Sequence, residues 1–271
     1  MLNKIIAYVT GANVASVAKT GYTGKFPSTR LIKTNAQAIK DACTWAQKIA
    51  KNNDFHYGHG EDAHHNGCYY CGTQKLKKGH GIKMWQTTYC CNPFVGACWA
   101  HGAGDATALK MCQSCDSWDF GKGKGSYHTS KLFKQVSLKS LKAGDVLCSD
   151  RHVALYLGKG KVAQAGHTDD NKIKSKSWNS SISVDTWKGY KRAYRYIGKV
   201  DATRALRHGE LSDRVADLQK FLIWYGYKIK ATRFFNDATL NAVKKFQKAQ
   251  GLKVDGVVGD KTIAKMKAVK K

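Results

Sequence analysis

At 271 residues with 42% hydrophobic side chains, the chain is long enough for two domains and apolar enough for an ordinary core. No apolar run approaches the ~18 residues that a membrane-spanning helix needs. The formal charge is +27, made of +18 over residues 1–200 and +9 over 201–271; such a field favours polyanionic partners, whether nucleic acid or an anionic wall rich in teichoic acids, without choosing between them.

The start carries one early lysine and the short run Ile5-Ile6-Ala7-Tyr8-Val9, which is too brief for a secretory leader and has no convincing cleavage site after it. Residues 1–34 otherwise show little period. The spacing from Ala36 to Ala50 predicts a helix with Ile39, Cys43, Ala46 and Ile49/Ala50 on one side. A Gly/His-rich stretch follows, from His56 to His80. Cys91-Asn92-Pro93-Phe94-Val95 reads as a loop turning into a mostly apolar helix that ends at Gly102, with Pro93 in the first turn, where its missing N–H costs nothing. Leu141 to Asp145 predicts a turn into a strand at Val146-Leu147-Cys148. From His152 to Leu157 the residues alternate, with Val153, Leu155 and Leu157 on one face and His152, Ala154 and Tyr156 on the other. Gly158 to Lys161 predicts a hairpin turn, Val162 to Ala165 its return strand, and Tyr190 to Ile197 a last strand. Beyond Gly198 the pattern turns helical. Helices are predicted over Asp213–Tyr225 with Ser212 as N-cap, over Asp237–Gln250 with Gly251 at the C-terminus, and over Lys261–Val269. The first two share an echo, Val215-x-x-Leu218-Gln219 and Val243-x-x-Phe246-Gln247. The division falls near 198–206, giving domains 1–200 and 203–271.

Cys91 stands at a helix start, and His152 opens a strand about 60 residues later. The positive end of a helix dipole lowers a thiol pKa and supplies thiolate, the form that attacks carbonyls. Nucleophile and base are thus offered in the order Cys, His. On spacing alone a buried structural thiol is the commoner reading of Cys91. Cys90 is a second candidate nucleophile, and His101 reads as a helix C-terminal cap. Among the nine cysteines, Cys68-x-x-Cys71 and Cys112-x-x-Cys115 have the ligand spacing of a four-thiolate structural zinc site, with two disulfides as the rival. His64 or His65 could replace a thiolate. A full Cys₄ set leaves no open position for catalysis.

The C-terminal stretch carries a plain resemblance. Leu206-Arg207-His208-Gly209, the two echo segments, Gly226-Tyr227, Asn236-Asp237-Ala238-Thr239 and Asp255-Gly256-x-Val258-Gly259-x-x-Thr262 resemble the small three-helix peptidoglycan-binding domain over about residues 203–268. This implies a bacterial wall ligand, glycan or stem peptide. In the N-terminal part, Tyr89 to Val95 resembles the nucleophile segment of NlpC-type, papain-like cell-wall peptidases, with Asn92-Pro93 departing from the usual Ser-Gly. Leu141 to Val146 and His152 to Gly158 resemble that family's Gly-Asp turn and base-bearing strand, and Tyr57-Gly58-His59-Gly60 its upstream tyrosine segment without the tryptophan. The resemblance implies an α+β papain-like domain in which Cys91 is nucleophile, His152 base and Tyr57 lines the site. It puts Gln164 in the place of the third polar residue, with His167, Asp169 and Asp170 as alternatives.

Together these readings predict a phage-type endolysin or autolysin, made without a clear leader in the host cytoplasm and acting on the wall. Its chemistry would be thiol hydrolysis of a stem-peptide amide, the γ-D-glutamyl bond first and the N-acetylmuramoyl-L-alanine bond second. No cofactor is needed for catalysis. Two other classes compete: a zinc-knuckle nucleic-acid binder, which explains neither the His152 strand nor residues 203–268, and a non-catalytic wall-binding protein.

Overall fold

The computed structural model describes residues 21–52, 55–57, 70, 87–89, 91–112, 127, 130–150, 152–166, 182–186 and 188–269; for His56, Tyr57, residues 87–89, Cys91, Asn92, Lys110 and Cys112 it describes the backbone alone. The chain forms two compact units. One spans residues 33–200, and the other joins residues 21–32 to 201–269. The sequence division left residues 21–32 with the N-terminal domain. They group instead with the C-terminal module, because Tyr22 and Phe26 pack against its core.

The larger unit is α+β. Helix α1 (Asn35–Ala50) starts where the Thr34 hydroxyl accepts the Gln37 N–H at 3.2 Å. Its buried face is Ala38, Asp41, Ala42, Trp45, Ala46 and Ile49. Ile39 and Cys43, expected on that face, are half-buried on its flank. The small residues Ala38 and Ala42 set the face, because they admit close packing that Ile39 would obstruct. Helix α2 (Cys91–Ala97) continues as a π-helical segment, Cys98–Ala103, which closes at Gly104 (φ 88°) rather than at Gly102. All six π residues are buried, and α1 packs along them. A Cβ on Gly102 would lie 2.7 Å from Trp45 Cβ and 2.9 Å from Ala42 Cα, so glycine permits the approach of the two backbones. Where they meet, Lys33 Nζ donates to the Gly102 carbonyl and pairs with Asp41, each at 2.9 Å and both side chains nearly fully buried. His101, read as a cap, instead stacks on Trp45 with ring centroids 6.1 Å apart.

Strands β2 (Phe55–Tyr57) and β3 (Thr87–Tyr89) pair in parallel, with Tyr57 beside Tyr89. A short helix α3 (Leu109–Cys112) follows α2. The main sheet has six antiparallel strands in the order β4-β9-β5-β6-β7-β8, comprising β4 (Phe133–Val136), β5 (Val146–Cys148), β6 (Val153–Gly158), β7 (Lys161–Ala165), β8 (Ile182–Thr186) and β9 (Arg192–Tyr196). Helix α2 packs on β6 and β7. The β6–β7 hairpin turns through three consecutive left-handed residues, Gly158, Lys159 and Gly160. Before β5, Gly144 takes φ 91° and Asp145 is buried, its carboxylate gripped by Arg195 Nε (2.8 Å) and Nη2 (2.7 Å).

Strand β1 (Arg30–Lys33) pairs with β10 (Val200–Thr203), and the smaller unit continues with three helices: α4 (Asp213–Tyr225), α5 (Asp237–Ala249) and α6 (Asp260–Ala268). Their core is Val215, Leu218, Phe221, Leu222, Val243, Phe246, Ile263 and Met266, closed by Leu206, Phe235 and Val258. The echo in sequence has a structural meaning. Gln219 and Gln247 are both buried, and each amide braces the loop after its helix. Gln219 accepts the Thr232 and Arg233 N–H groups at 2.8 and 3.0 Å; Gln247 accepts the Gly256 N–H at 2.8 Å and donates to the Val257 carbonyl at 2.9 Å. Ser212 occupies the N-cap position of α4, but its hydroxyl donates to Glu210 at 2.6 Å instead of capping the helix. Arg214 holds the buried Glu210 carboxylate through Nε and Nη2 at 2.6 and 2.7 Å. Burial opposes the charge on Glu210, but the Arg214 guanidinium outweighs it and keeps the carboxyl below its usual range.

Candidate functional site

The site is built on one face of the β6–β7–β8 ribbon. Strand β5 ends at Cys148, and the chain turns back so that the Ser149 N–H donates to the His152 carbonyl at 2.8 Å. This fixes the backbone of His152 one residue before β6. In the hairpin Leu155 faces Ala163 and Tyr156 faces Val162. Continuing that register brings His152 opposite Gly166 and Ala154 opposite Gln164. In the next pair Gln164 faces Ser183 and Val162 faces Asp185. Alternation therefore sets His152, Gln164, Ser183 and Asp185 on a common face.

The side chains meet there. His152 Nε2 lies 2.8 Å from Gln164 Oε1. Gln164 Nε2 donates to Asp185 Oδ2 at 2.9 Å, and the Tyr190 hydroxyl donates to Gln164 Oε1 at 3.1 Å. The Ser183 hydroxyl donates to the same Asp185 oxygen. The Tyr190 ring lies near the imidazole, centroids 6.3 Å apart. Gly166 leaves the room the imidazole occupies: a Cβ there would sit 2.6 Å from His152 Cε1. Since an amide oxygen only accepts, Nε2 carries the ring proton and Nδ1 the lone pair.

Cys91 is the first residue of α2, the helix packed on β6 and β7. Tyr57 ends β2 in register with Tyr89, two residues before Cys91. The side chains of Tyr57 and Cys91 lie outside the described residues, as do Cys90, His64, His65, His167, Asp169 and Asp170. Cys68, Cys71 and Cys115 also lie outside them; Cys112 ends α3 with its side chain undescribed. Among the described residues no His/Cys/Asp/Glu group is arranged to hold a metal.

The described thiols of this unit, Cys43, Cys98 and Cys148, are poorly placed for nucleophilic work. Burial, with the Asp145 charge adding to it, pushes the Cys43 thiol up to about 12. Burial raises Cys148 as well, against a small opposing pull from Arg192. Cys98 is buried and donates to the Phe94 carbonyl at 3.2 Å. Cys43 and Cys148 therefore stay protonated near neutral pH.

Asp185, Ser183 and Tyr190 did not stand out in the sequence. The segment Ile182-Ser183-Val184-Asp185 does alternate apolar and polar, and a strand read there would have brought Asp185 into view as a partner for β7.

Residues 212–266 match the family model described as "Putative peptidoglycan binding domain". The match covers α4, α5 and most of α6, the module whose core and loops are described above. No curated protein and no solved structure matches the chain. The family match supports a wall-binding C-terminal domain, which fits a protein that acts on the cell wall. Among the described residues, no helix is long and apolar enough to cross a membrane.

Proposed function

We propose that the chain is a peptidoglycan hydrolase of papain-like type, an endolysin or autolysin that cuts a stem-peptide amide, with the γ-D-glutamyl bond as first choice. The carrying observation is the 2.8 Å bond between His152 Nε2 and Gln164 Oε1, which supports the tautomer with its lone pair on Nδ1, the form a base for a thiol requires. The start of α2 at Cys91, on a helix packed against β6 and β7, supports a thiol donor there. The C-terminal domain supplies the wall as substrate.

In this reading the Cys91 proton passes to His152 Nδ1 as sulfur attacks the amide carbonyl. The imidazolium then returns the proton to the leaving amine, leaving a thioester. Water, deprotonated by the same ring, releases the acid and restores the thiol. Gln164 holds the tautomer throughout, and Tyr57 lines the substrate path beside Tyr89. Acid–base help of this kind contributes roughly 10²–10⁴ in rate. A structural zinc on Cys68, Cys71, Cys112 and Cys115 belongs to the same proposal and plays no part in the chemistry; metal analysis of purified protein tests it. The charge of +27 favours anionic teichoic acids as an auxiliary wall partner. Phage origin and synthesis in the host cytoplasm complete the reading.

Cys91→Ala is the decisive variant. Loss of lysis with wall binding retained is expected, and undiminished lysis refutes the assignment. Mass spectrometry of digested wall names the bond through its new N-termini, separating the γ-D-glutamyl bond from the N-acetylmuramoyl-L-alanine alternative. One observation favours a second reading: the family match falls on a binding domain alone. A non-catalytic wall-binding protein predicts adsorption to walls with no new termini from the wild-type chain.

A further inference from the structure

The geometry points to Asp185 as the residue that dictates which nitrogen of His152 carries the proton. This inference rests on the proposed thiol chemistry only for its consequence in rate. A glutamine amide is nearly symmetric in shape, and Gln164 rotated by half a turn would offer His152 an N–H instead of an oxygen. The imidazole would then have to accept at Nε2 and carry its proton on Nδ1, which leaves no base for a thiol. Something must choose between the two orientations. Tyr190 cannot choose, because a hydroxyl 3.1 Å away can donate to an oxygen or accept from an N–H. Asp185 can, because a carboxylate only accepts, so the NH₂ group must face it at 2.9 Å and the oxygen must face His152 at 2.8 Å. The Ser183 hydroxyl, donating to the same carboxylate oxygen, holds Asp185 in place. Asp185 is thus a positioning residue, acting on His152 through Gln164.

The test reads the tautomer directly. Full-length protein carrying Cys91→Ala and ¹⁵N-histidine is observed at a pH where the ring is neutral, with His152→Gln assigning the signal. The parent is expected to show the Nε2–H form. Asp185→Ala is expected to shift the population toward Nδ1–H, and Gln164→Glu in the same background to restore Nε2–H, because a carboxylate at 164 again only accepts. If Asp185→Ala does not fold, Asp185→Asn serves, since its amide also removes the one-way constraint. An unchanged Nε2–H population in a folded Asp185 variant overturns the inference. With Cys91 intact, the Asp185 variant is expected to lose about 10-fold or more in kcat with little change in KM, and Gln164→Glu to recover part of it. A tautomer shift in a chain whose parent cuts no wall sinks the hydrolase reading and supports the role of Asp185. Lysis by the parent with no tautomer shift does the reverse.

Discussion

Replacing Gly166 by alanine puts a single methyl group into the space of the His152 ring. The backbone at Gly166 is not left-handed, so alanine meets no φ penalty and the effect is purely steric. The new Cβ would lie 2.6 Å from Cε1, 3.3 Å from Nδ1 and 3.4 Å from Nε2. Carbon atoms in ordinary contact sit about 3.5–4.0 Å apart, so ring or strand must retreat by about 1 Å. A ring displacement of that size carries the 2.8 Å bond to Gln164 toward the edge of hydrogen-bond range. Overpacking of this kind costs about 1–3 kcal/mol, and the weakened hydrogen bond about 1 more. For a unit of this size that corresponds to a melting temperature lower by roughly 5–10 °C. On the proposed hydrolase reading, a misplacement of about 1 Å also costs on the order of 10²-fold in rate. Thermal melting followed by circular dichroism measures the first effect, and clearing of a wall suspension at 25 °C, far below the transition, measures the second. A Gly166→Ala chain that melts with the wild type and clears walls at the same rate would show that the imidazole is not confined against residue 166.

Three further perturbations test other parts of the molecule. Lys33→Met leaves the Asp41 carboxylate buried without its cation and should destabilise the larger unit by about 3–5 kcal/mol in urea titrations, whereas Lys33→Met with Asp41→Leu should recover most of that; equal losses in the single and double variants would argue against the pair. Cys43 and Cys148, held protonated by burial, should resist alkylation at pH 8 in the folded chain and react once it is unfolded, as peptide mapping would report. Glu210 titrates below its usual range when folded, so its contribution is complete above the unfolded value near 4.5 and is lost as pH falls through the lower folded value. Between pH 5 and 3 the helical module of the wild type should therefore lose more stability than that of a Glu210→Gln variant, and parallel losses would contradict the Glu210–Arg214 pairing.

Much of this architecture is written locally. Helix periodicity located α4 over Asp213–Tyr225, where it forms, and brought α5 and α6 within a residue of their observed limits. The β6–β7 hairpin followed from alternation and from Gly158 and Gly160, which can adopt the positive φ that the turn requires. That hairpin is also what carries Gln164 to His152. Both residues lie within one short antiparallel loop of chain, so their contact is nearly a local event. The echo of Gln219 and Gln247 was visible as a pattern, though the loops they brace were not.

Other features depended on chain segments that meet only after folding. The buried face of α1 differs from the expected one because its partner, the π segment, comes from a different part of the chain and meets Ala42 and Trp45 at Gly102. Residues 21–32 join the module at 201–269 through the packing of Tyr22 and Phe26, a contact with no trace in local composition. Asp185 reaches Gln164 through the register of a strand 21 residues further on. Side-chain period and turn chemistry act over a few residues and can be read from order alone. The direction of an amide, the fit of a ring against a glycine and the pairing of a buried lysine depend on distances between strands and helices that only the folded chain sets.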